Sequence, residues 1–86
     1  MPPPAIKLLA FAVAREAVGA GEQTFPLEPP VPVTARALLD RLCDAFPPLA
    51  PHRGSLRLAV NGAYAEWDQE VVAGDEVALI PPVSGG

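Results

Sequence analysis

The fold is decided by the stretch Gly74-Asp75-Glu76-Val77-Ala78-Leu79-Ile80-Pro81-Pro82-Val83-Ser84-Gly85-Gly86. Its first two residues are a turn signal, and Val77 to Ile80 is a short apolar run typical of a buried strand. Pro81 and Pro82 lack a backbone N–H, so the strand must end there. Because each proline also favours extended backbone in the residue before it, residues 81–86 are expected to protrude as a tail.

The tip of this tail has no side chains. Gly85 and Gly86 can therefore pass through a constriction that any Cβ atom would block. What they deliver is the carboxylate of Gly86, a group suited to enter the active site of another protein. The alternative interpretation is that Gly-Gly is a frayed chain end without a function.

Composition indicates one small globular domain over residues 1–86. The chain has 86 residues, of which 50% are hydrophobic and 19% are charged, a balance typical of folded domains. The single cysteine excludes an internal disulfide and fits a reducing compartment. The sequence has no run of about 18 apolar residues and no signal-peptide pattern, so we expect a cytoplasmic protein.

The charge balance disfavours two classes of partner. The net charge is −4 and the pI is about 4.7, whereas nucleic acids and anionic membranes require a basic face. The acidity either steers the protein toward basic surfaces of partner proteins or only improves solubility.

The first half of the chain predicts two strands and one helix. Residues 6–13 form a nearly continuous apolar run, with Lys7 marking the face nearer to solvent. Residues 14–18 allow barely one helical turn before Gly19. Residues 22–27 indicate a second strand, which Pro26 restricts to a sheet edge.

One full helix is predicted over residues 35–46. Thr34 is a suitable N-cap, and the apolar residues of the segment fall within about 100° of one face. Pro47 and Pro48 end the helix, and residues 47–54 are expected to form a loop. The apolar stripe consists of Ala35, Leu38, Leu39, Leu42 and Phe46.

The second half predicts three further strands. Residues 56–60 alternate as a half-buried strand, and Asn61-Gly62 is a strong hairpin signal with Ala63 and Tyr64 returning. Residues 71–73 are short and apolar and precede the last strand. One helix on a mixed sheet is a two-layer α+β domain, and parallel pairing of the first and last strands gives the β-grasp (ubiquitin-like) architecture. The alternative, a ferredoxin-like fold, needs a second full helix that the sequence does not supply.

No catalytic or metal-binding constellation is visible. His52 is the only histidine and lies in an expected loop, so no metal site can be proposed. Cys43 borders the apolar stripe and is expected to pack as a small hydrophobe. Asp75 and Glu76 are adjacent but belong to a turn. The tail is therefore the only candidate for chemistry.

Alternation along the strands also predicts a partner interface. If Val77 and Leu79 face the helix, Phe11 and Ile80 share the opposite face close to the root of the tail, and Tyr64 can join them. An exposed apolar patch there would be a docking site. The alternative is that these residues are the core or rim of a tight domain.

The string Gly-Asp-Glu-Val-x-x-x-Pro-Pro-Val-Ser-Gly-Gly resembles the signature of the small subunit of molybdopterin synthase, the MoaD family of sulfur carriers. The opening run from Ile6 to Ala12, the Arg15-Glu16 pair, Val60-Asn61 and Tyr64 also fit the family pattern. The resemblance covers residues 6–86.

This resemblance implies a function in molybdenum cofactor biosynthesis. A ubiquitin-activating-enzyme-like adenylyltransferase would use ATP to adenylate Gly86, and a sulfur nucleophile would convert it to a thiocarboxylate. The tail would enter the large subunit of molybdopterin synthase, in a heterotetramer, and donate sulfur to convert cyclic pyranopterin monophosphate to molybdopterin. Gly85 lets the tip pass, and the tail is held extended by Pro81, Pro82, Val83 and Ser84. The carrier itself would bind no cofactor and would own no catalytic site.

Three other interpretations remain at this stage. A sulfur carrier of another pathway, such as the thiamin type, shares the fold, although Pro-Pro-Val-Ser before Gly-Gly argues against it. A ubiquitin-like modifier would join Gly86 to lysines of target proteins. A plain binding module would have an inert tail.

Overall fold

The C-terminal strand lies at the centre of the main sheet. The computed structural model describes residues 3–29 and 31–81. The main sheet has the strand order β2-β1-β7-β4-β5. The elements are β1 (Ala5–Ala10), α1 (Ala12–Val18), β2 (Glu22–Pro26), β3 (Val33–Thr34), α2 (Ala35–Ala45), a 3-10 helix (Pro47–Ser55), β4 (Arg57–Val60), β5 (Ala63–Tyr64), β6 (Glu70–Val71) and β7 (Glu76–Ile80).

The two strands that flank β7 run in opposite directions. β1 is parallel to β7, with Ala10 opposite Leu79, and β4 is antiparallel to it, with Arg57 opposite Ile80. The expected parallel pairing of the first and last strands is confirmed. Among the strands of the described residues, β2 pairs with β1 alone, so Pro26 lies in an edge strand, where its missing N–H costs no ladder hydrogen bond.

One face of the sheet is buried together with α2. Buried side chains alternate along β1 and β7, whereas Lys7 on the other face is exposed. The hydroxyl of Thr34 accepts a hydrogen bond from the N–H of Ala37 at 3.1 Å, which confirms the predicted N-cap. A mixed sheet covered by one main helix confirms the α+β, β-grasp fold. The buried cluster includes Ile6, Leu8, Leu38, Leu39, Leu42, Val77 and Leu79.

The first strand is shorter than predicted and the helix after it is longer. β1 ends at Ala10, and α1 takes up residues 12–18, which include the last two residues of the expected strand. Short apolar runs do not distinguish a strand from a helix by periodicity alone. α1 ends at Gly19, whose φ of 86° is the left-handed conformation that favours glycine.

The segment after α2 is a 3-10 helix, so the expected loop over residues 47–54 was wrong. The N–H of Leu49 donates to the carbonyl of Phe46 at 2.8 Å, and that of Leu56 donates to His52 at 3.1 Å. Leu49 is fully buried, so this segment contributes to the core. Tertiary burial of one leucine, which local sequence does not reveal, explains the ordered turns.

A second, two-stranded sheet was not expected. Val33 of β3 lies opposite Val71 of β6, and the predicted apolar segment 71–73 forms a strand only at residue 71. This pairing holds the chain from Trp67 to Gln69 against the start of α2. The carbonyls of Gln69 and Trp67 accept hydrogen bonds from the N–H groups of Ala35 and Arg36 at 2.8 and 3.0 Å.

Over residues 3–29 and 31–81, no helix is long and apolar enough to cross a membrane.

Candidate functional site

The beginning of β7 is held by a polar network. Asp75 accepts hydrogen bonds from the side-chain amide of Asn61 at 3.1 Å and from the N–H of Val72 at 2.9 Å. The side-chain oxygen of Asn61 accepts the N–H of Glu76 at 3.0 Å. Asn61 and Gly62 have φ angles of 51° and 88°, so the predicted hairpin turn is confirmed. We call Asn61, Val72, Asp75 and Glu76 the polar lock.

The polar lock explains the Asp75-Glu76 pair. The Asp75 carboxylate is occupied by the turn, and Glu76 lies 3.9 Å from the ammonium group of Lys7. Both carboxylates thus have polar or charged partners among the described residues. The interpretation of Asp75 as a turn residue agrees with these contacts, whereas Glu76 is not in the turn and is the first residue of β7.

The other end of β7 is the exit of the chain. Ile80 is half-buried and lies opposite Arg57, and Pro81 is the last residue that the structure describes. Residues Pro82, Val83, Ser84, Gly85 and Gly86 lie outside the described residues, so their roles in the tail remain predictions. The point at which the chain leaves the sheet is nevertheless fixed, because β7 is hydrogen-bonded to a neighbouring strand on each side.

Phe11 is exposed on one side of this exit. It directly follows Ala10, which pairs with Leu79, so its position along the sheet matches that of Ile80. The backbone carbonyl of Phe11 accepts the N–H groups of Ala14 and Arg15 at the start of α1, and its side chain is 51% exposed. Its main chain thus has a structural role while the ring remains available to a partner.

Tyr64 lies on the other side of the exit. It is 73% exposed in β5, opposite Ala59 of β4. Tyr64, Ile80 and Pro81 line one open concavity of about 450 Å³, together with Arg57 and Trp67. The structure therefore brings Tyr64 and Ile80 together, whereas Phe11 flanks β7 from the side of β1. We call Phe11, Tyr64, Ile80 and Pro81 the exit surface.

Cys43 is buried in α2, as expected for a packing residue. Burial raises the pKa of the Cys43 thiol; nearby Arg53 opposes this effect, and Asp40 and Asp44 add to it. A protonated, enclosed thiol is a poor nucleophile. His52 lies in the 3-10 helix and not in a loop. Within the described residues, no group of three His, Cys, Asp or Glu side chains is arranged to hold a metal ion.

Sequence reasoning missed one cluster. Arg36, Arg53, Arg57 and Trp67 line a common concavity of about 200 Å³. These residues are scattered over 32 positions of sequence, and only the packing of β6 and the 3-10 helix around α2 brings them together. The signal available in the sequence was the concentration of arginine after residue 35 in an acidic chain.

The architecture defines the class of the protein: a β-grasp domain in which β7, the last strand of the described residues, is central in the main sheet. Residues 8–86 match the model of the ThiS family. The chain belongs to the ThiS family, and its resemblance to the small subunit of molybdopterin synthase is confirmed by relatives that carry this name.

Two relatives are named Molybdopterin synthase sulfur carrier subunit. The protein of Arabidopsis thaliana is 42% identical over 81 residues, which cover 94% of this chain and 82% of the relative. That of Escherichia coli is 37% identical and covers 94% of this chain and 99% of the relative.

A solved structure extends the comparison to another named role. The crystal structure of the small archaeal modifier protein SAMP1 from Haloferax volcanii matches with a TM-score of 0.77 at 29% identity. The match covers 95% of this chain and 99% of that protein.

Proposed function

We propose that this protein is the sulfur carrier of a molybdopterin synthase and acts in molybdenum cofactor biosynthesis. The observation that carries the proposal is the 42% identity to a plant sulfur carrier subunit over 94% of the chain. The central position of β7 supports it, because a strand paired on both sides is a firm base for a tail that enters other proteins. In this role the carrier works in the cytoplasm, in keeping with its single cysteine.

The working group is the carboxyl group of Gly86. A carboxylate oxygen attacks the α-phosphate of ATP and pyrophosphate leaves, which gives an acyl adenylate. A hydrosulfide equivalent then attacks the acyl carbon, AMP departs with the original oxygen, and a thiocarboxylate remains. This chain supplies neither the ATP site nor the sulfur, and the ATP site belongs to a separate ubiquitin-activating-enzyme-like adenylyltransferase.

The acceptor reaction takes place in a partner. In the large subunit the thiocarboxylate sulfur bonds to a carbon of cyclic pyranopterin monophosphate and displaces an oxygen substituent from it. Water then cleaves the bond between the acyl carbon and the sulfur, so the sulfur stays on the pterin and Gly86 returns to a carboxylate. The dithiolene of molybdopterin contains two sulfur atoms, so two carriers or two rounds are required for each product. A heterotetramer of two small and two large subunits satisfies this need. The exit surface is the part of the folded body that contacts the large subunit.

Mass spectrometry of the intact chain tests the proposal. After incubation with the adenylyltransferase, ATP and a sulfur source, the mass should rise by the difference between one sulfur and one oxygen atom. A chain that lacks Gly86 is the control and should not change. An unchanged mass of the full chain, under conditions that load a known carrier, would refute the proposal.

A protein-modifier function is the second candidate, favoured by the similarity to the archaeal modifier protein. In this case the Gly86 carboxyl group would form an amide with lysine side chains of other proteins. Cells that express a tagged chain would contain slowly migrating conjugates, and deletion of Gly86 would remove them. Sulfur loading without conjugates would leave the sulfur-carrier function as the sole one.

A further inference from the structure

The cluster of Arg36, Arg53, Arg57 and Trp67, which we call the arginine pocket, concentrates positive charge in an acidic protein. The chain carries six lysines and arginines and a net charge of −4. Three of those six cations line this single concavity of about 200 Å³. Cations in such a chain are expected to be dispersed among the carboxylates, so their convergence calls for an anionic ligand.

Only one of the three guanidinium groups is neutralised within the described part of the chain. The Nε atom of Arg53 donates to the carboxylate of Asp40 at 2.7 Å. Among residues 3–29 and 31–81, no carboxylate lies within 4.0 Å of the guanidinium nitrogens of Arg36 or Arg57. The pocket therefore keeps two positive charges available to a ligand.

Arg57 is held in position before any ligand arrives. Its guanidinium carbon lies 5.8 Å from the centroid of the Trp67 ring, and its Nη1 atom donates to the carbonyl of Leu56 at 3.3 Å. Trp67 is in turn held through its carbonyl, which accepts the N–H of Arg36. Fixing a guanidinium group in advance lowers the entropy lost on binding.

The ligand must be bound by side chains. The first N–H groups of α2 already donate to Gln69, Trp67 and Thr34. A planar guanidinium group matches a carboxylate, since it can donate two parallel hydrogen bonds. The pocket volume of about 200 Å³ suits one acidic side chain.

The arginine pocket is continuous with the exit surface. Arg57 and Trp67 line both this pocket and the concavity that contains Tyr64, Ile80 and Pro81. The acidic residue Glu66 lines only the concavity that contains Ile80 and Pro81. The positive charge of the joined surface is therefore concentrated at its other end, away from the tail. A protein that receives the tail must pass close to this second pocket.

We propose that the arginine pocket receives an aspartate or glutamate side chain of the large subunit, from a segment whose apolar part contacts Tyr64 and Ile80. This proposal rests on the proposed function and adds the charged contact that sets how the two subunits dock. Association therefore has an electrostatic component that depends on Arg36 and Arg57.

The test compares matched arginine variants of the full chain in binding to the purified large subunit. Arg36→Gln and Arg57→Gln should each weaken the complex about 10- to 30-fold, because each leaves a desolvated carboxylate with one partner fewer. Arg15→Gln is the control, since Arg15 is an exposed residue of α1 and lies outside the pocket; it should change the dissociation constant by less than about twofold. Arg36→Lys should recover part of the lost affinity.

Two further measurements separate a contact from a folding defect. The chain contains one tryptophan, so its indole N–H gives one NMR signal, which should shift when the large subunit binds. The affinity of the Arg36→Gln, Arg57→Gln double variant should depend less on salt than that of the natural sequence. Melting temperatures of the variants, compared with Arg15→Gln, show whether the fold is intact.

The outcomes distinguish the two proposals. If the natural sequence binds the large subunit and both glutamine variants bind as Arg15→Gln does, the arginine-pocket proposal is overturned and the proposed function stands. If the natural sequence neither binds the large subunit nor acquires sulfur, both are overturned.

Discussion

The two ends of β7 differ in kind. At its start, Asn61, Asp75 and the neighbouring backbone satisfy one another in the polar lock. At its exit, Phe11 and Tyr64 are exposed and Ile80 is half-buried. The polar groups at the start of β7 thus have hydrogen-bond partners within the protein, whereas the apolar side chains at its exit remain accessible to a partner.

This difference separates stability from function along five residues of chain. Hydrogen bonds at the polar lock secure the register of the strand, so the exit does not need to contribute to folding. The exit can then keep apolar side chains that stabilise a complex instead of the isolated protein. Substitutions in the polar lock should therefore lower the free energy of unfolding and leave sulfur transfer intact. Substitutions at the exit should weaken sulfur transfer and leave the free energy of unfolding nearly unchanged.

The largest effect is expected beyond the exit, at the tip. One alanine added after Gly86 should abolish formation of the thiocarboxylate, because the Gly86 carboxyl group would be tied up in a peptide bond and the new tip would carry a Cβ atom. The melting temperature of this extended variant should equal that of the natural sequence. Gly54→Ala is the matched control, since an added Cβ there meets no atom within 4 Å, and it should load normally in the mass assay.

Removal of the aromatic rings of Phe11 and Tyr64 should have the second largest effect. Tyr64→Ala and Phe11→Ala should each weaken binding of the large subunit by about 1–3 kcal/mol, as truncated interface anchors do. Unfolding free energies should fall by less than about 0.5 kcal/mol because both rings are exposed. Calorimetric titration and urea denaturation provide the two values. Val72→Ala should change neither, because Val72 precedes the start of β7, its side chain is exposed and its part in the polar lock is its backbone N–H. A large stability loss in Tyr64→Ala would contradict the assigned exposure.

A smaller effect, on stability alone, is expected at the polar lock. Asp75→Ala removes the acceptor of two hydrogen bonds and should lower the unfolding free energy by about 1–2 kcal/mol. Sulfur loading below the melting temperature should stay normal. Asp68→Ala serves as the comparison because Asp68 is exposed and outside the network. Equal denaturation midpoints for the two variants would remove the distinction between the ends of β7.

The smallest effect concerns Cys43, which is remote from both ends. The pKa of its thiol is raised in the folded protein by burial, so the folded state holds this proton more tightly than the unfolded chain. The unfolding free energy should therefore decrease as the pH rises above the ordinary thiol range. Urea denaturation of the natural sequence and of Cys43→Ala across alkaline pH measures this, and the stability difference between them should shift in favour of the variant.

The sequence correctly predicted those features that are determined by residues close together in the chain. Thr34 caps α2 through its own hydroxyl, Asn61-Gly62 adopts the left-handed conformations that a tight hairpin needs, and proline confines β2 to an edge. Lys7 correctly marked the solvent-facing side of β1. The parallel pairing of β1 and β7 followed from the need to cover two apolar strands with one helix.

The features that depend on distant partners were not predicted. The pairing of Val33 with Val71 joins segments that are far apart in the chain, and two residues of strand give no periodicity. Leu49 orders the 3-10 helix because the assembled core encloses it. The arginine pocket depends on the packing of distant segments, so nothing in the local sequence marks Arg36, Arg53, Arg57 and Trp67 as a group.

The central place of β7 also bears on how the protein is made. Within residues 3–29 and 31–81, β1 and β4 do not pair with each other, so the main sheet stays in two pieces until residues 76–80 arrive between them. The ribosome synthesises these residues after all the other strands and encloses them in its tunnel until they emerge. Pairings between distant segments are also the slow steps of folding. A chain that stops short of β7 therefore leaves its sheet divided, which couples a completed fold to the synthesis of the segment that precedes the tail.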